Sequence, residues 1–172
     1  RRFLYTIEFF PEEGKYHWDG HRACAVRLSP AEAMKMNNIC PACGRRVTVG
    51  VEHRLESLAD RQAGYVSRTS PSFRRAVPLA EIIGDILGLG PNTKTVARQY
   101  EELIKIFGTE MELLLFAPEA EVNKNCPAAI AVAVLNVRAG KVRITPGYDG
   151  EYGAVEVVKD TSSAGEKEFD FS

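Results

Sequence analysis

The stretch that decides the fold is His21-Arg-Ala-Cys24 together with Cys40-Pro-Ala-Cys43-Gly44. In each half, two metal-binding residue types are separated by two others, and Cys40 follows Cys24 by sixteen positions. Glycine or proline in such a knuckle lets backbone N–H groups point at the thiolates. A redox pair is the alternative for Cys-x-x-Cys, but no thioredoxin-like βαβ pattern surrounds it. The paired halves predict one structural zinc ion bound by Cys24, Cys40 and Cys43.

The spacing leaves the fourth zinc ligand open. His21 is favoured because it occupies the partner position of the first knuckle. His53 follows an alternating stretch after the second knuckle and could fold back onto the site, and His17 is the remaining histidine. Three thiolates and one imidazole would close the coordination sphere, which predicts a structural rather than a catalytic ion. Cys126 lies far away beside a proline, and we expect a buried thiol there.

The patterns around the knuckles predict a small β subdomain. Residues 3–10 are aromatic and β-branched and predict a strand, with 15–18 as its candidate partner. Ser29-Pro-Ala-Glu32 has the form of a capping box that begins a short helix. Residues 47–51 alternate like a strand, and 52–63 are typical of a short polar helix.

The remainder of the chain predicts a mainly helical subdomain. Residues 64–78 are rich in Ser, Pro and Gly and indicate a linker. Helical patterns then occupy 79–87, 93–107, 109–117 and 119–138, the last broken near Cys126-Pro127, before a β-hairpin at 141–158. We therefore predict an α+β fold with a zinc-ribbon-like subdomain (1–66), a helical subdomain with a terminal hairpin (67–159) and an acidic, flexible tail (160–172).

The segment 83–97 has the pattern of a helix-hairpin-helix, in which two short helices are joined by an apolar-Gly-x-Gly turn. The glycines would let the backbone approach a phosphate, and the free N–H groups at the start of the second helix carry the positive end of its dipole. This predicts sequence-independent contacts with DNA by Gly88, Gly90, Asn92, Thr93 and Lys94. A glycine-rich turn that only joins two packed helices is the alternative.

The charge is nearly balanced overall but not along the chain. The net charge is −1, with basic residues concentrated in 1–75 and acidic residues in the last dozen positions. Arg45 and Arg46 directly follow the second knuckle, and we expect them to face DNA. No apolar run approaches the ~18 residues of a membrane span. From the opening residues we also expect no signal peptide. Crowded cysteines without a disulfide framework favour a reducing, cytoplasmic location.

Several short motifs, taken in order, resemble the C-terminal half of endonuclease Q and its bacterial relatives, which are often labelled helicase-related. The similarity covers roughly residues 5–158. The motifs are Lys15-Tyr-His17, Ile39-Cys-Pro-Ala-Cys-Gly44, Gly50-Val-Glu-His-Arg-Leu-Glu-Ser-Leu-Ala-Asp-Arg61, Val77-Pro-Leu-Ala-Glu-Ile-Ile83 and Ile144-Thr-Pro-Gly-Tyr-Asp-Gly-Glu-Tyr-Gly153.

This resemblance implies a polymerase-and-histidinol-phosphatase (PHP) domain upstream in the same polypeptide, which cuts DNA on the 5′ side of deaminated bases. The zinc and helical parts would grip the duplex around an extruded base. The chain itself would then be a DNA-binding accessory region without catalytic residues of its own. In some relatives the first knuckle is Cys-x-x-Cys, whereas Arg27 stands where a second cysteine would fall, which favours His21 as the fourth ligand.

A protein-interaction module is the alternative function. In that case the zinc ribbon and helices would dock a helicase or another DNA-processing partner. The near-neutral charge and the acidic tail favour this alternative. The sequence has no Ser/His/Asp set, no Walker phosphate loop and too few histidines for a di-metal centre. A self-sufficient enzyme is therefore disfavoured.

Overall fold

A computed structural model describes residues 3–62 and 64–158 of the chain. These residues form two compact units, each assembled from segments that are distant in sequence. The cysteine unit contains residues 10–72 and 144–155, and the helical unit contains residues 3–9, 73–143 and 156–158, within the described ranges.

The strands are short and pair two by two. In chain order they are β1 (Tyr5–Glu8), β2 (Asp19–His21), β3 (Val26–Leu28), β4 (Ser72–Arg75), β5 (Val142–Thr145) and β6 (Ala154–Val157). The pairs are β1 with β4, β2 with β3, and β5 with β6. In the antiparallel β2–β3 pair, Asp19 lies opposite Leu28 and His21 opposite Val26.

The helices are concentrated in the second half of the chain. They are α1 (Pro30–Lys35), α2 (Val51–Leu58), α3 (Leu79–Leu87), α4 (Lys94–Phe107), a π-helical turn (Glu112–Phe116), α5 (Glu119–Asn125) and α6 (Ala128–Arg138). None of the helices in the described ranges is both long and apolar enough to cross a membrane.

The core of the cysteine unit is small and includes a cysteine. Leu28, Ala33, Cys40 and Val47 are buried together, and Cys24 and Val26 pack against them. Helix α1 begins with the predicted capping box: Ser29 accepts from the N–H of Glu32, whose side chain accepts from the N–H of Ser29. This cap fixes the chain between the two knuckles.

The helical unit has an aliphatic core at helical spacing. Helix α3 contacts both α4 and α6. The largest fully buried side chains of the described part of this unit are Leu79, Ile82, Ile83, Val96, Leu103, Leu113, Val122, Ile130 and Val134. In α3 these positions recur at intervals of three and four residues, which is the pattern that places one face of a helix against its neighbours.

The predicted α+β class is confirmed, with a zinc-ribbon-like β part and a helical part. The predicted strand at 15–18 is wrong, because the N–H groups of His17 and Trp18 donate to Gly14 and Gly147 instead of to β1. In the predicted strand at 47–51, only Thr48 forms a bridge, with Gly20. The terminal hairpin and the break before α6 agree with the prediction.

The two units are not continuous stretches of sequence like the predicted subdomains, because pairing between distant segments brings both ends of the described chain into units with its middle. Residues 3–9 join the helical unit since β1 pairs with β4. Residues 144–155 join the cysteine unit, in which Gly147 and Gly153 donate to Glu12 and Glu13. The predicted tail at 160–172 lies outside the described residues.

Candidate metal centre

Four predicted ligands converge in the cysteine unit. One donor atom each from His21, Cys24, Cys40 and Cys43 lies within 4.8 Å of all the others, and His21 Nδ1 is 3.4 Å from Cys43 Sγ. A tetrahedral zinc ion with N and S ligands would hold such donor atoms about 3.5–3.8 Å apart. The four donor atoms are therefore close enough together to share one ion after side-chain adjustment.

Two tight turns bring these side chains together. His21 ends β2, and a 3-10 turn at Arg22–Cys24 closes with Ala25 in the left-handed conformation, its N–H donating to Arg22. In the second knuckle, Gly44 has φ of 69° and donates to the carbonyl of Cys40 at 2.9 Å. A positive φ costs glycine little, which is why Cys-x-x-Cys-Gly forms this turn.

The electrostatics of the cluster favour a bound cation. A hydrogen bond with Cys43 and burial raise the pKa of the Cys24 thiol to about 11. Burial also opposes ionisation of Cys40, but the N–H groups of Ala42 and Cys43, together with His21, lower its pKa to about 7. Thiolates packed this closely repel one another, so a divalent ion is the group that would allow all three to ionise.

The alternative histidines are engaged elsewhere in the cysteine unit. His53 Nδ1 lies 2.6 Å from the carboxylate of Asp19, and His17 Nε2 lies 3.2 Å from that of Glu52. The group of donors close enough to share a metal, among the described residues, includes His21 alone of the three histidines. The geometry therefore supports His21 as the fourth ligand.

Sequence reasoning missed Asp19, a fully buried carboxylate. It accepts from the N–H of Gly50 at 2.6 Å as well as pairing with His53. Since Gly50 is the N-cap of α2, this carboxylate ties the start of the helix to β2, which carries the candidate ligand His21. An acid next to Gly20 in a short strand gave no periodic signal that would have identified it.

The loop at 147–153 is also joined to the first knuckle. Asp149 accepts from the N–H of Arg22 at 2.6 Å and from the Thr48 hydroxyl at 2.5 Å. Burial raises the pKa of Asp149, but these hydrogen bonds outweigh it and lower the pKa below its usual value. Tyr148 and Glu151 exchange backbone hydrogen bonds across Asp149-Gly150, which form a tight turn.

The predicted glycine hairpin lies between α3 and α4 in the helical unit. Gly88 has φ of 66° and ends α3, and the N–H of Leu89 donates to Gly84 at 2.8 Å. Gly84 was missed by the sequence analysis: a Cβ there would lie 2.7 Å from the carbonyl oxygen of Leu89. The turn residues Gly88, Gly90, Asn92 and Lys94 are exposed, with Thr93 half-buried as the N-cap of α4.

The two predicted basic contacts, Arg45 and Arg46, are exposed beside the second knuckle in the cysteine unit. The carbonyl of Arg45 accepts from the N–H of Cys40 at 2.7 Å, which holds this backbone in place. Both guanidinium groups are therefore displayed from a fixed turn.

Known proteins share both the sequence and the fold of this chain. Residues 78–141 match the family model of the MJ0043 C-terminal domain. Protein MJ0043 of Methanocaldococcus jannaschii is 37% identical over 145 residues, 84% of this chain and 18% of the relative. Protein YqxK of Bacillus subtilis is 30% identical over 157 residues, 91% of this chain and 36% of the relative. The chain thus spans about a fifth to about a third of these relatives.

Two solved structures match most of the described chain. The lesion-specific endonuclease PfuEndoQ from Pyrococcus furiosus aligns with a TM-score of 0.76 and 30% identity, over 88% of this chain and 37% of that one. Endonuclease Q in complex with a 27-mer duplex substrate, with an abasic lesion at the active site, aligns with a TM-score of 0.72 and 29% identity, over 89% and 38% of the respective chains. In sequence and structure the chain is therefore similar to the C-terminal region of endonuclease Q relatives, as the order of its motifs predicts.

Proposed function

We propose that this chain is the DNA-binding accessory region of a repair endonuclease and that its Cys3His cluster holds one structural zinc ion. The observation that carries the proposal is the match of 88% of the chain to a lesion-specific endonuclease. A second matching endonuclease Q structure contains a DNA duplex. The chain covers little more than a third of either protein. We therefore propose that the cutting activity lies outside it, in the upstream PHP domain that the motif resemblance implies.

The zinc proposal is supported by donor chemistry and by the place of the ligands in the core. Cys40 is both a ligand and one of the few buried side chains around α1, so metal binding and folding of the cysteine unit are coupled. Elemental analysis should find one zinc ion per chain. A Cys43→Ser variant should lose it, whereas Cys126→Ser, which alters a thiol of the helical unit, should keep it. Retention of full zinc by Cys43→Ser would contradict this ligand set.

Phosphate binding is proposed for the turn before α4. This helix has fourteen residues and begins at Lys94, directly after the exposed turn. The N–H groups of its first turn are therefore free to bind an anion. Such a helix start attracts anions through its N–H groups and its dipole. The contact would be with the DNA backbone and independent of base sequence.

Fluorescence anisotropy with a labelled duplex at low salt tests this proposal. Binding should weaken steeply as salt is raised, because phosphate contacts release counterions. Gly90→Val is the informative variant: a Cβ at Gly90 would lie 4.0 Å from its nearest neighbour, Thr93 Cγ2, so the fold tolerates it while the backbone becomes shielded. Lys94→Gln should weaken binding more than Lys105→Gln, which removes a charge at the other end of α4. No binding by the wild-type chain would refute the DNA-binding role.

The accessory role predicts different behaviour from the chain alone and from a longer polypeptide. The 172-residue chain should not cut DNA with a deaminated base, and the same region joined to its PHP domain should cut on the 5′ side. Cleavage by the chain alone, in a preparation freed of contaminating nuclease, would contradict the assignment of catalysis to the PHP domain.

An exposed apolar stripe supports a second candidate, a protein-interaction module that docks a helicase or another DNA-processing partner. Val51, Leu55 and Leu58 of α2 recur on one face and are 59%, 62% and 61% exposed. A partner recovered with the wild-type chain but not with Leu55→Glu, and insensitive to nuclease and salt, would favour this function.

A further inference from the structure

Two tyrosines and two cations surround one turn of the cysteine unit. Lys15 Nζ lies 5.4 Å from the ring centroid of Tyr152 and 5.9 Å from that of Tyr16. A Cβ placed on Gly150 would lie 3.5 Å from Nη1 of Arg22 and 3.7 Å from the Tyr16 hydroxyl. We name Lys15, Tyr16, Arg22 and Tyr152 the aromatic–basic surface.

The two rings on this surface are turned to solvent. Tyr16 is 48% exposed and Tyr152 is 76% exposed, whereas Tyr148 on the same loop is buried under Arg27. The fold therefore uses Tyr148 for packing and leaves the other two rings exposed, with Lys15 beside both of them. Exposed aromatic rings beside cations are the side chains on which proteins stack unpaired nucleobases.

The surface is held by a rigid backbone. Gly150 donates to the carbonyl of Lys15 at 2.8 Å, and Gly147 donates to that of Glu12 at 2.8 Å. The chains lie so close that a Cβ on Gly147 would be 2.5 Å from the N of Gly153. Since this backbone is already ordered, binding would order only side chains, which lowers its entropic cost.

The neighbouring acids leave the cations able to bind phosphate. Asp149 is already occupied by the Arg22 N–H and the Thr48 hydroxyl. Glu151 approaches Arg22 only at 3.9 Å, in a pair whose side chains are 61% and 52% exposed. Such an exposed pair is worth little and exchanges readily for a phosphate.

We propose that the aromatic–basic surface binds an unpaired nucleotide of a DNA strand. The base stacks on Tyr152 or Tyr16, and the ammonium of Lys15 and the guanidinium of Arg22 contact the flanking phosphates. The inference rests on the proposed DNA-binding role and names a second, single-stranded contact, distinct in chemistry from the phosphate contact at the start of α4. A peptide could also meet aromatic and basic groups, but it lacks the regular alternation of π-face and phosphate that this arrangement matches.

The test uses the whole chain and a single-stranded oligonucleotide that carries one 2-aminopurine, at low salt. Binding is expected to quench the 2-aminopurine fluorescence through stacking. Tyr152→Leu and Tyr16→Leu should weaken binding by about five- to a hundredfold and reduce the quenching, whereas Tyr152→Phe should retain both. Tyr65→Leu is the matched control, since Tyr65 is an exposed tyrosine of the same unit with Arg61 4.6 Å from its ring centroid. Circular dichroism melting curves check that each variant is folded.

The outcomes separate this inference from the proposed function. For single-stranded DNA, Lys15→Gln should make the negative slope of log affinity against log salt concentration shallower by about one. Single-strand binding by both leucine variants at the wild-type level, or an equal loss in Tyr65→Leu, overturns the inference. Wild-type chain that binds duplex but no single strand overturns the inference and leaves the proposed function standing. Absence of binding to any DNA overturns both.

Discussion

Replacing Arg138 by Met is expected to destabilise the helical unit strongly. The guanidinium donates to three carbonyls near the end of the π-helical turn: Leu113 at 2.6 Å, Leu114 at 3.0 Å and Ala117 at 2.7 Å. The last carbonyls of a helix have no partner further along the helix. Arg138 supplies that partner from α6, and burial lowers the pKa of its guanidinium.

The expected loss follows from these contacts. At the lower end of the range for hydrogen bonds to charged groups, about 1.5 kcal/mol each, the three bonds contribute about 4–5 kcal/mol. Met keeps most of the apolar stem, so the change measures mainly the guanidinium. Lys keeps the charge but cannot present the planar fork that reaches three carbonyls, so Arg138→Lys should lose roughly half as much.

Urea unfolding followed by far-UV circular dichroism measures this loss. Arg143→Met is the matched control: Arg143 pairs only with Glu156 among the contacts found for it, at 3.5 Å, with side chains 73% and 56% exposed. Exposed pairs of this kind contribute about 0–1 kcal/mol. If the free energies of unfolding of Arg138→Met and Arg143→Met differ by less than about 1 kcal/mol, the three carbonyl contacts do not stabilise the unit as argued.

Three further predictions concern the cysteine unit. Removing zinc with a chelator should shift the emission of the single tryptophan toward that of an unfolded chain, and added zinc should restore it. Gly20→Ala should destabilise the unit strongly, since the added Cβ would lie 2.6 Å from a backbone oxygen. In Gly44→Ala the added Cβ meets no atom within 4 Å, so the only loss of stability should be the cost of a positive φ for alanine. Thermal unfolding of the two variants measures this difference. Ser29→Ala should cost about 1 kcal/mol through loss of the cap. Because Ser29 lowers the pKa of Glu32, this contribution is present above the unfolded pKa of that carboxyl and is lost as the pH falls through its lower folded value, so the variant and wild type should converge in acid-unfolding curves.

The convergence of His21, Cys24, Cys40 and Cys43 was predictable because each half of the cluster is local. Two knuckles close through turns of three or four residues, and their requirements, such as a positive φ at Gly44, are visible in the sequence. The capping box at Ser29 was predictable for the same reason. The choice of His21 over His53 needed the structure, since it depends on Asp19 accepting from His53 across 34 positions.

Pairing between distant segments was not predictable. The partner of β1 lies at β4, more than sixty residues away, and both strands are four residues long and contain no buried residue. Short strands with weak alternation specify neither partner nor register. For the same reason the loop at 147–153 was assigned to the helical subdomain, although Gly147 and Gly153 donate to the carbonyls of Glu12 and Glu13 in the cysteine unit.

Arg22 connects the two sites of the cysteine unit. It lies between the proposed ligands His21 and Cys24, its N–H donates to Asp149, and its side chain lies beside Gly150. A metal bound by His21 and Cys24 would fix the short turn that contains Arg22, and with it the residue that contacts the loop. We expect zinc to order the aromatic–basic surface as well as the core. The affinity of the chain for single-stranded DNA should then depend on its metal content, although none of the proposed zinc ligands belongs to that surface.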